Sequence, residues 1–179
     1  MLMAQPLSRP AALRLAAPTE ADLAALPALL TAAFGPGRFA KTSERVREQG
    51  ARLDPALSRV AFDEHRILGC CLLSHVMIGA APALFLGPLA VHPRAQKGGI
   101  GAALVAASLE AARDAGADAV ILVGAPAFFA PFGFAALPKG RVVLPGPVDP
   151  GRFLGLSLKP HALEALEGAV SGFPAASPA

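Results

Sequence analysis

The sequence lacks several features that mark particular classes of protein. It has no tyrosine, so no phenolic hydroxyl can act as a proton donor in a reaction. Its only cysteines, Cys70 and Cys71, are neighbours in an apolar run, which is no basis for a disulfide framework or a metal site and predicts a reducing cytoplasm. No stretch offers about eighteen apolar residues without a charge or a proline, and residues 1–10 have no signal-peptide core. We therefore expect neither membrane insertion nor secretion.

Charge is also scarce. The formal net charge is +3, and Lys and Arg form no consecutive run of the kind that nucleic-acid binding requires, so we expect no nucleic-acid partner. In contrast, 54% of the 179 residues are apolar, which is enough for one hydrophobic core. The sequence thus predicts a single domain over residues 1–179, with residues 1–10 and 171–179 as loose termini.

Local patterns predict an alternation of helices and strands. Thr19 and Asp22 form a capping-box pattern, and the apolar residues that follow at helical spacing predict a helix that ends at Gly35. A second, charged helix is expected over residues 43–52, and a short helix that starts at Pro126 and closes at Gly133 is expected later in the chain. Apolar and β-branched runs predict strands over residues 57–62, 67–78, 84–91, 119–123, 141–144 and 153–158. The polar residues 63–66 predict a hairpin between the first two of these longer strands.

The most informative segment is the glycine-containing loop at residues 92–99. It lies between the strand at 84–91 and a helix predicted over residues 100–115, with the strand at 119–123 following in parallel. The first amides of a helix have no partner within the helix and carry partial positive charge, so they can bind a pyrophosphate. Lys97 and Arg94 could add charge for further phosphates. The pattern therefore indicates an anion site, although the glycines could also serve only a tight turn.

Two other phosphate-binding motifs fit the loop less well. A Walker loop is excluded because no Lys-Ser or Lys-Thr pair follows the glycines. A dinucleotide fingerprint should begin with glycine directly at the strand end, whereas six residues, 92–97, intervene here. The place of the third glycine of that fingerprint is taken here by Leu104, which is too large for the close packing of helix and strand in that motif. A dinucleotide-dependent oxidoreductase is therefore the lesser interpretation.

Three segments resemble the GNAT superfamily of N-acetyltransferases, and its YhbS-like branch in particular. They are LGPLAVHP at residues 86–93, QKGGIG at residues 96–101 and GAPAFFAPFGF at residues 124–134. The resemblance implies an α/β fold with a mixed sheet, in which the central parallel strands splay apart to form a cleft. It also implies acetyl-CoA as the cosubstrate, no metal, and an amine of a small molecule or peptide as the acceptor.

The same resemblance assigns roles to individual residues. The pantetheine arm of the coenzyme would pair with the main chain of Leu89, Ala90 and Val91, and an amide near Leu89 or Ala90 would polarise the thioester carbonyl. Phe128 and Phe129 would form a wall against that arm. The pyrophosphate cradle would comprise Gln96, Lys97, Gly98, Gly99, Ile100, Gly101 and Ala102.

The sequence departs from the family pattern at two positions. The commoner family loop has its basic residue after the first glycine, whereas Lys97 precedes Gly98, so its phosphate contact is displaced by one residue. Many members carry a tyrosine near the coenzyme sulfur, and that position is Phe129 here. A thiolate whose conjugate acid has a pKa of about 8.5 leaves readily, so another group or water can supply the proton.

A general base is needed to deprotonate an alkylammonium at neutral pH, and histidine is suited to that role. His75 is the candidate, because it interrupts an apolar strand and should share a face with Cys71 and Leu73, although a packed histidine is the alternative. His92 is interpreted as structural, and neither His65 nor His161 is favoured. The charged residues Arg38, Lys41, Glu44 and Arg45 fit a solvated face on the acceptor side.

These patterns lead to one preferred function and one alternative of another class. The preferred function is direct transfer of an acetyl group from acetyl-CoA to a primary amine. The alternative is a non-catalytic acyl-CoA sensor, which the missing tyrosine and the unassigned base favour. The sequence is compatible with a homodimer.

Overall fold

A computed structural model describes residues 13–35, 42–64 and 66–174. The predictions made for Arg38, Lys41 and His65, and for loose termini at residues 1–10 and 175–179, lie outside these residues. The helices are α1 (Glu20–Phe34), α2 (Thr42–Glu48), α3 (Ile100–Asp114) and α4 (Pro126–Phe129). The strands are β1 (Arg14–Ala16), β2 (Arg52–Leu53), β3 (Arg59–Asp63), β4 (Arg66–Ile78), β5 (Ala81–Val91), β6 (Ala119–Val123), β7 (Ala135–Ala136), β8 (Val142–Val143), β9 (Phe153–Ser157) and β10 (Gly168–Gly172).

The capping box predicted for the first helix is present. The Thr19 hydroxyl accepts from the Asp22 amide at 3.2 Å, and the Asp22 carboxylate accepts from the Thr19 amide at 2.8 Å. Both contacts satisfy amides that would otherwise lack a partner at the helix start. The helix continues through Pro27 and ends before Gly35, as the pattern predicted.

The second helix is shorter than predicted. It ends at Glu48 instead of continuing to residue 52, because a turn follows in which Gly50 has a φ of 94°. The chain then forms β2, which pairs with β4 through Arg52 and His75. Tertiary pairing thus converts the last predicted helical residue into a strand residue.

One sheet organises the fold. Its main path has the order β1-β3-β4-β5-β6-β9-β7, and β5 and β6 are parallel whereas the other neighbours on the path are antiparallel. Helix α3 packs on one face, where Leu104, Val105 and Leu109 are buried in the largest cluster. Helix α1 buries Leu26 and Leu29 on the other face. This arrangement confirms the predicted α/β fold with a mixed sheet.

The two central parallel strands splay apart, as the resemblance implied. Both strands are described over their whole length, and their register contains only the pairs Leu84–Val120 and Phe85–Ile121. Beyond these pairs, no strand of the described sheet lies beside the β6-facing edge of residues 86–91. The splay opens a cleft along the second half of β5.

The prediction of a loose tail from residue 171 onwards is wrong for its first two residues. Ser171 and Gly172 belong to β10, which pairs antiparallel with the end of β4 at Met77 and Val76. The strands β1, β2, β7 and β10 were not predicted, and the strand predicted from residue 57 begins at Arg59, after a turn. No helix within the described residues is long and apolar enough to cross a membrane.

Candidate functional site

A pocket of about 370 Å³ lies where the end of β5 meets the start of α3. It brings together ten of the residues predicted to hold the coenzyme. These are Leu89, Ala90, Val91, Gln96, Lys97, Gly99, Ile100, Gly101, Ala102 and Phe128. Gly98, Phe129 and His75 are not part of its lining. The loop and the strand that were singled out in the sequence therefore form one concave site.

The first turn of α3 faces this pocket without a side-chain cap. Gly99 is the N-cap residue and adopts a left-handed conformation, with a φ of 76° and no side chain to bind the helix amides. The hydrogen bonds of the helix begin with the Ala103 amide, which donates to the Gly99 carbonyl oxygen at 3.0 Å. The amides of Ile100, Gly101 and Ala102 consequently have no partner within the helix, and the helix dipole adds partial positive charge there. This turn can accept an anion.

Lys97 adds a unit positive charge to the partial positive charge at the start of α3. It lies on the loop immediately before α3 and is exposed, and its backbone is also left-handed, with a φ of 68°. It is the only titratable side chain among the described residues that line the pocket. Because the described residues of the lining include no carboxylate, both the backbone and the side chains of this part of the pocket favour an anion.

The edge of β5 provides main-chain groups for an extended ligand. The His92 amide donates to the Leu68 carbonyl of β4 at 2.7 Å. Since consecutive residues of a strand point their amides to opposite edges, the amide of Ala90 also points to β4. The amides of Leu89 and Val91 then point to the opposite edge, which is the open side of the splay. Of the two residues predicted to polarise a carbonyl, Leu89 therefore has its amide on the open side, whereas the amide of Ala90 faces β4.

Gln96 contacts the protein itself. Its side-chain amide donates to the Val91 carbonyl oxygen at 3.2 Å. This hydrogen bond ties the loop to the last residue of β5. Gln96 therefore fixes the two halves of the pocket relative to each other.

The two adjacent phenylalanines of α4 have different environments. Phe128 is 39% exposed and lines the pocket, and a Cβ added to Gly101 would lie 3.5 Å from its ring. Phe129 is 6% exposed and packs edge-to-face against Phe134, with ring centroids 5.6 Å apart. Its ring also lies against Gly124, where any Cβ would overlap it. Phe128 thus forms part of the pocket wall, and Phe129 belongs to the core.

The pocket also includes residues that the sequence reasoning did not select. Ala33 and Phe34 reach it from the end of α1, and Ala95 from the loop. Phe34 is 39% exposed, and it is the last apolar residue before the glycine that ends α1. The packing of α1 on β4 and β5 places this helix end beside the loop that precedes α3, and no local pattern encodes that packing.

The structure does not bring His75 to this pocket. Its partner across β5 is Leu84, five residues before Leu89, which at about 3.3 Å per residue is roughly 16 Å away. Its Nε2 atom lies 2.8 Å from the Asp54 carboxylate in a different pocket. The prediction that this histidine points into the cleft is therefore wrong, because sharing a strand face does not fix the position along the strand.

The remaining candidates for acid, base or nucleophile are engaged elsewhere. His92 accepts from the Arg94 amide at 3.3 Å and so terminates β5, in agreement with its structural interpretation. Cys70 and Cys71 are free thiols buried in the sheet, and burial raises the pKa of each to about 12. Neither thiol is available as a nucleophile at neutral pH.

Comparison with known proteins relates this geometry to a family. The Acetyltransferase (GNAT) family model matches residues 23–134. The GNAT family N-acetyltransferase YhbS from Escherichia coli, solved in complex with CoA, is 26% identical, with a TM-score of 0.73 over 95% of this chain and 93% of that one. A GNAT family acetyltransferase from Brucella melitensis, in complex with acetyl-CoA, is 26% identical, with a TM-score of 0.67 over 91% and 97%.

A more distant structure shares the fold alone. The ribosomal-protein-S18-alanine N-acetyltransferase from Escherichia coli is 18% identical, with a TM-score of 0.59 over 82% of this chain and 94% of that one. A search of curated proteins found no match.

Proposed function

Since the chain belongs to the acetyltransferase (GNAT) family, whose model matches residues 23–134, we propose that it transfers an acetyl group from acetyl-CoA to an amine in the pocket at the start of α3. One observation carries the proposal: the same pocket contains the uncapped first turn of α3 and the unpaired edge of β5. Two similar structures, at 26% identity, contain CoA or acetyl-CoA.

The first turn of α3 would hold the pyrophosphate of the coenzyme. The amides of Ile100, Gly101 and Ala102 are unpartnered within the helix and can each donate to a phosphate oxygen. Gly101 has no side chain, which keeps the approach between Phe128 and Val91 open. Lys97 would add a point charge from the adjacent loop.

The open edge of β5 would hold the pantetheine arm. The arm carries amide groups, and the amides of Leu89 and Val91 point to the side where β6 has diverged. Phe128 would contact the arm from α4, and the end of α1 would cover it at Phe34. These contacts would bring the thioester of the coenzyme to the amide of Leu89.

The chain contributes to the reaction chiefly by positioning the thioester of the coenzyme and by polarising its carbonyl group. When bound, acetyl-CoA supplies a thioester whose carbonyl carbon an amine attacks, with loss of the thiolate and release of one proton. The Leu89 amide would donate to the carbonyl oxygen as negative charge develops there, a contribution of roughly 3–4 kcal/mol in comparable sites. The described lining contains no carboxylate or imidazole, so we infer that the acceptor reacts as the free amine after losing its proton to water.

A free-thiol assay with a panel of amines tests this function. The panel should contain small alkylamines, amino acids and peptides with free N-termini, because we propose a primary amine of a small molecule or peptide as the acceptor. We expect thiol release that depends on both acetyl-CoA and one class of amine. Tight coenzyme binding with no amine-dependent release would instead support an acyl-CoA sensor.

A further inference from the structure

A second pocket of about 370 Å³ lies at the opposite end of α3. It is formed by the residues after that helix, the starts of β5 and β6, and the side chains of Asp54, His75 and Phe173. Helix α3 has 15 residues and is therefore about 22 Å long. Leu84 in the lining of the second pocket precedes Leu89 by five residues, roughly 16 Å along β5, so this pocket is separate from the residues proposed to meet the thioester.

The charge of this pocket is opposite to that of the coenzyme cleft. Its described lining contains two carboxylates, Asp54 and Asp118, and no lysine or arginine. It also lies at the C-terminal end of α3, where the helix dipole places partial negative charge. Lys159 pairs with Asp118 at 2.5 Å, but both side chains are about half exposed and water screens that pair. Asp54 is the more buried of the two carboxylates.

The Asp54 carboxylate is held in place by two contacts and keeps free hydrogen-bond acceptor sites. One carboxylate oxygen of Asp54 accepts from the Ala56 amide at 3.0 Å, and the other lies 2.8 Å from His75 Nε2. A carboxylate has about four acceptor sites, so about two remain.

Apolar surface lies next to these acceptors. The Phe173 ring packs against His75 with centroids 5.2 Å apart, and Leu57 and Leu84 complete the wall. The Arg52 guanidinium lies 4.7 Å from the centroid of Phe173 and is not part of the lining, so one face of this ring is already covered by a cation. The volume is within the range of small-molecule sites.

We propose that this pocket binds a small organic cation, namely a primary or secondary ammonium on a compact apolar group. The ammonium donates to the Asp54 carboxylate, and the apolar group contacts Phe173, Leu57 and Leu84. This site is separate from the proposed transferase site and does not depend on it.

Titration of the full chain with 2-phenylethylamine tests the proposal. Its isostere of opposite charge, 3-phenylpropionate, is the ligand control. We expect saturable binding of the amine by calorimetry and at least tenfold weaker binding of the carboxylate. Asp54→Asn keeps the shape and the Ala56 contact, and should weaken amine binding by roughly tenfold or more. Asp63→Asn makes the same change in a carboxylate of similar exposure that pairs with Arg66 outside this pocket, and should bind the amine as the wild type does.

An NMR titration of the wild-type histidine ring signals locates the ligand and does not rely on the Asp54 variant folding. The His75 signal, assigned by its loss in His75→Gln, should shift with the amine, and the His92 signal should not. Absence of amine binding, equal binding of the carboxylate, unchanged binding in Asp54→Asn, or an unmoved His75 signal would each overturn the proposal.

Discussion

Gln96 and Val91 are joined by a hydrogen bond from the Gln96 side-chain amide to the Val91 carbonyl oxygen, at 3.2 Å. The bond connects the loop before α3 to the last residue of β5. The two surfaces proposed to bind the coenzyme, the helix start and the strand edge, are therefore held in a fixed relation before any ligand arrives. Such preorganisation lowers the cost of ordering on binding.

Gly101→Glu should abolish the stabilisation of the protein by CoA. The new carboxylate would meet the pyrophosphate at the first turn of α3, where the wild type offers only amides. At a CoA concentration of 100 times its Kd, the wild type should gain about 2.7 kcal/mol, which corresponds to roughly 5–10 °C in Tm. Ala106→Glu, on the exposed side of the same helix, is the matched control and should keep the shift. A shift retained in Gly101→Glu would show that the coenzyme binds elsewhere.

The two neighbouring phenylalanines should respond differently to alanine. Phe128→Ala removes a wall of the cleft and should weaken CoA binding about tenfold with little change in Tm. Phe129→Ala empties a core position and should lower the free energy of unfolding by about 3–5 kcal/mol. Calorimetric titration and chemical denaturation measure the two effects. If Phe129→Ala weakened coenzyme binding while leaving stability intact, the assignment of the two rings would have to be exchanged.

Amide hydrogen exchange should report which edge of β5 the coenzyme covers. The Leu89 and Val91 amides point to the open side of the splay and should exchange more slowly once CoA is bound. The Ala90 amide points to β4 and should be protected in both states. Residue-resolved NMR exchange distinguishes the three. Slowing at Ala90 but not at its two neighbours would contradict the register argument.

Neither cysteine should react with thiol reagents in the folded protein. Burial raises the pKa of Cys70 and Cys71 to about 12, so at pH 8 the thiolate fraction is on the order of 10⁻⁴. We expect no reaction with a chromogenic disulfide at pH 8 until denaturant is added, and then two thiols per chain. Rapid labelling of the native protein would contradict the buried positions. Because the thiols of the protein do not react, the free-thiol assay has a low background.

Local signals in the sequence predicted the order of the main elements. The Thr19 and Asp22 pair fixed the start of α1, because capping depends only on residues three apart. The short helical segment from Pro126 likewise ends at Gly133, whose φ is 92°. Each of these features depends on the conformational preferences of a few adjacent residues, which a single sequence displays.

Features that depend on tertiary pairing were not predictable in the same way. The segment of β10 contains two glycines and no apolar alternation, yet it is a strand because Val170 and Ser171 pair with the end of β4. The two-residue period of a strand was enough to predict which side of the strand His75 lies on. Its distance from the cleft depended instead on the register of β4 with β5, which no local pattern specifies. The approach of Phe34 to the cleft has the same origin.

The most direct test of the central claim is to measure thiol release and acetylated amine in one reaction. Wild-type protein is incubated with acetyl-CoA and an accepting amine, free CoA is determined with a thiol reagent, and the N-acetyl product is determined by mass spectrometry. We predict equal amounts of the two products with the wild type, and loss of both with Gly101→Glu. Release of CoA without the N-acetyl product, or equal turnover by Gly101→Glu, would contradict acetyl transfer in this cleft.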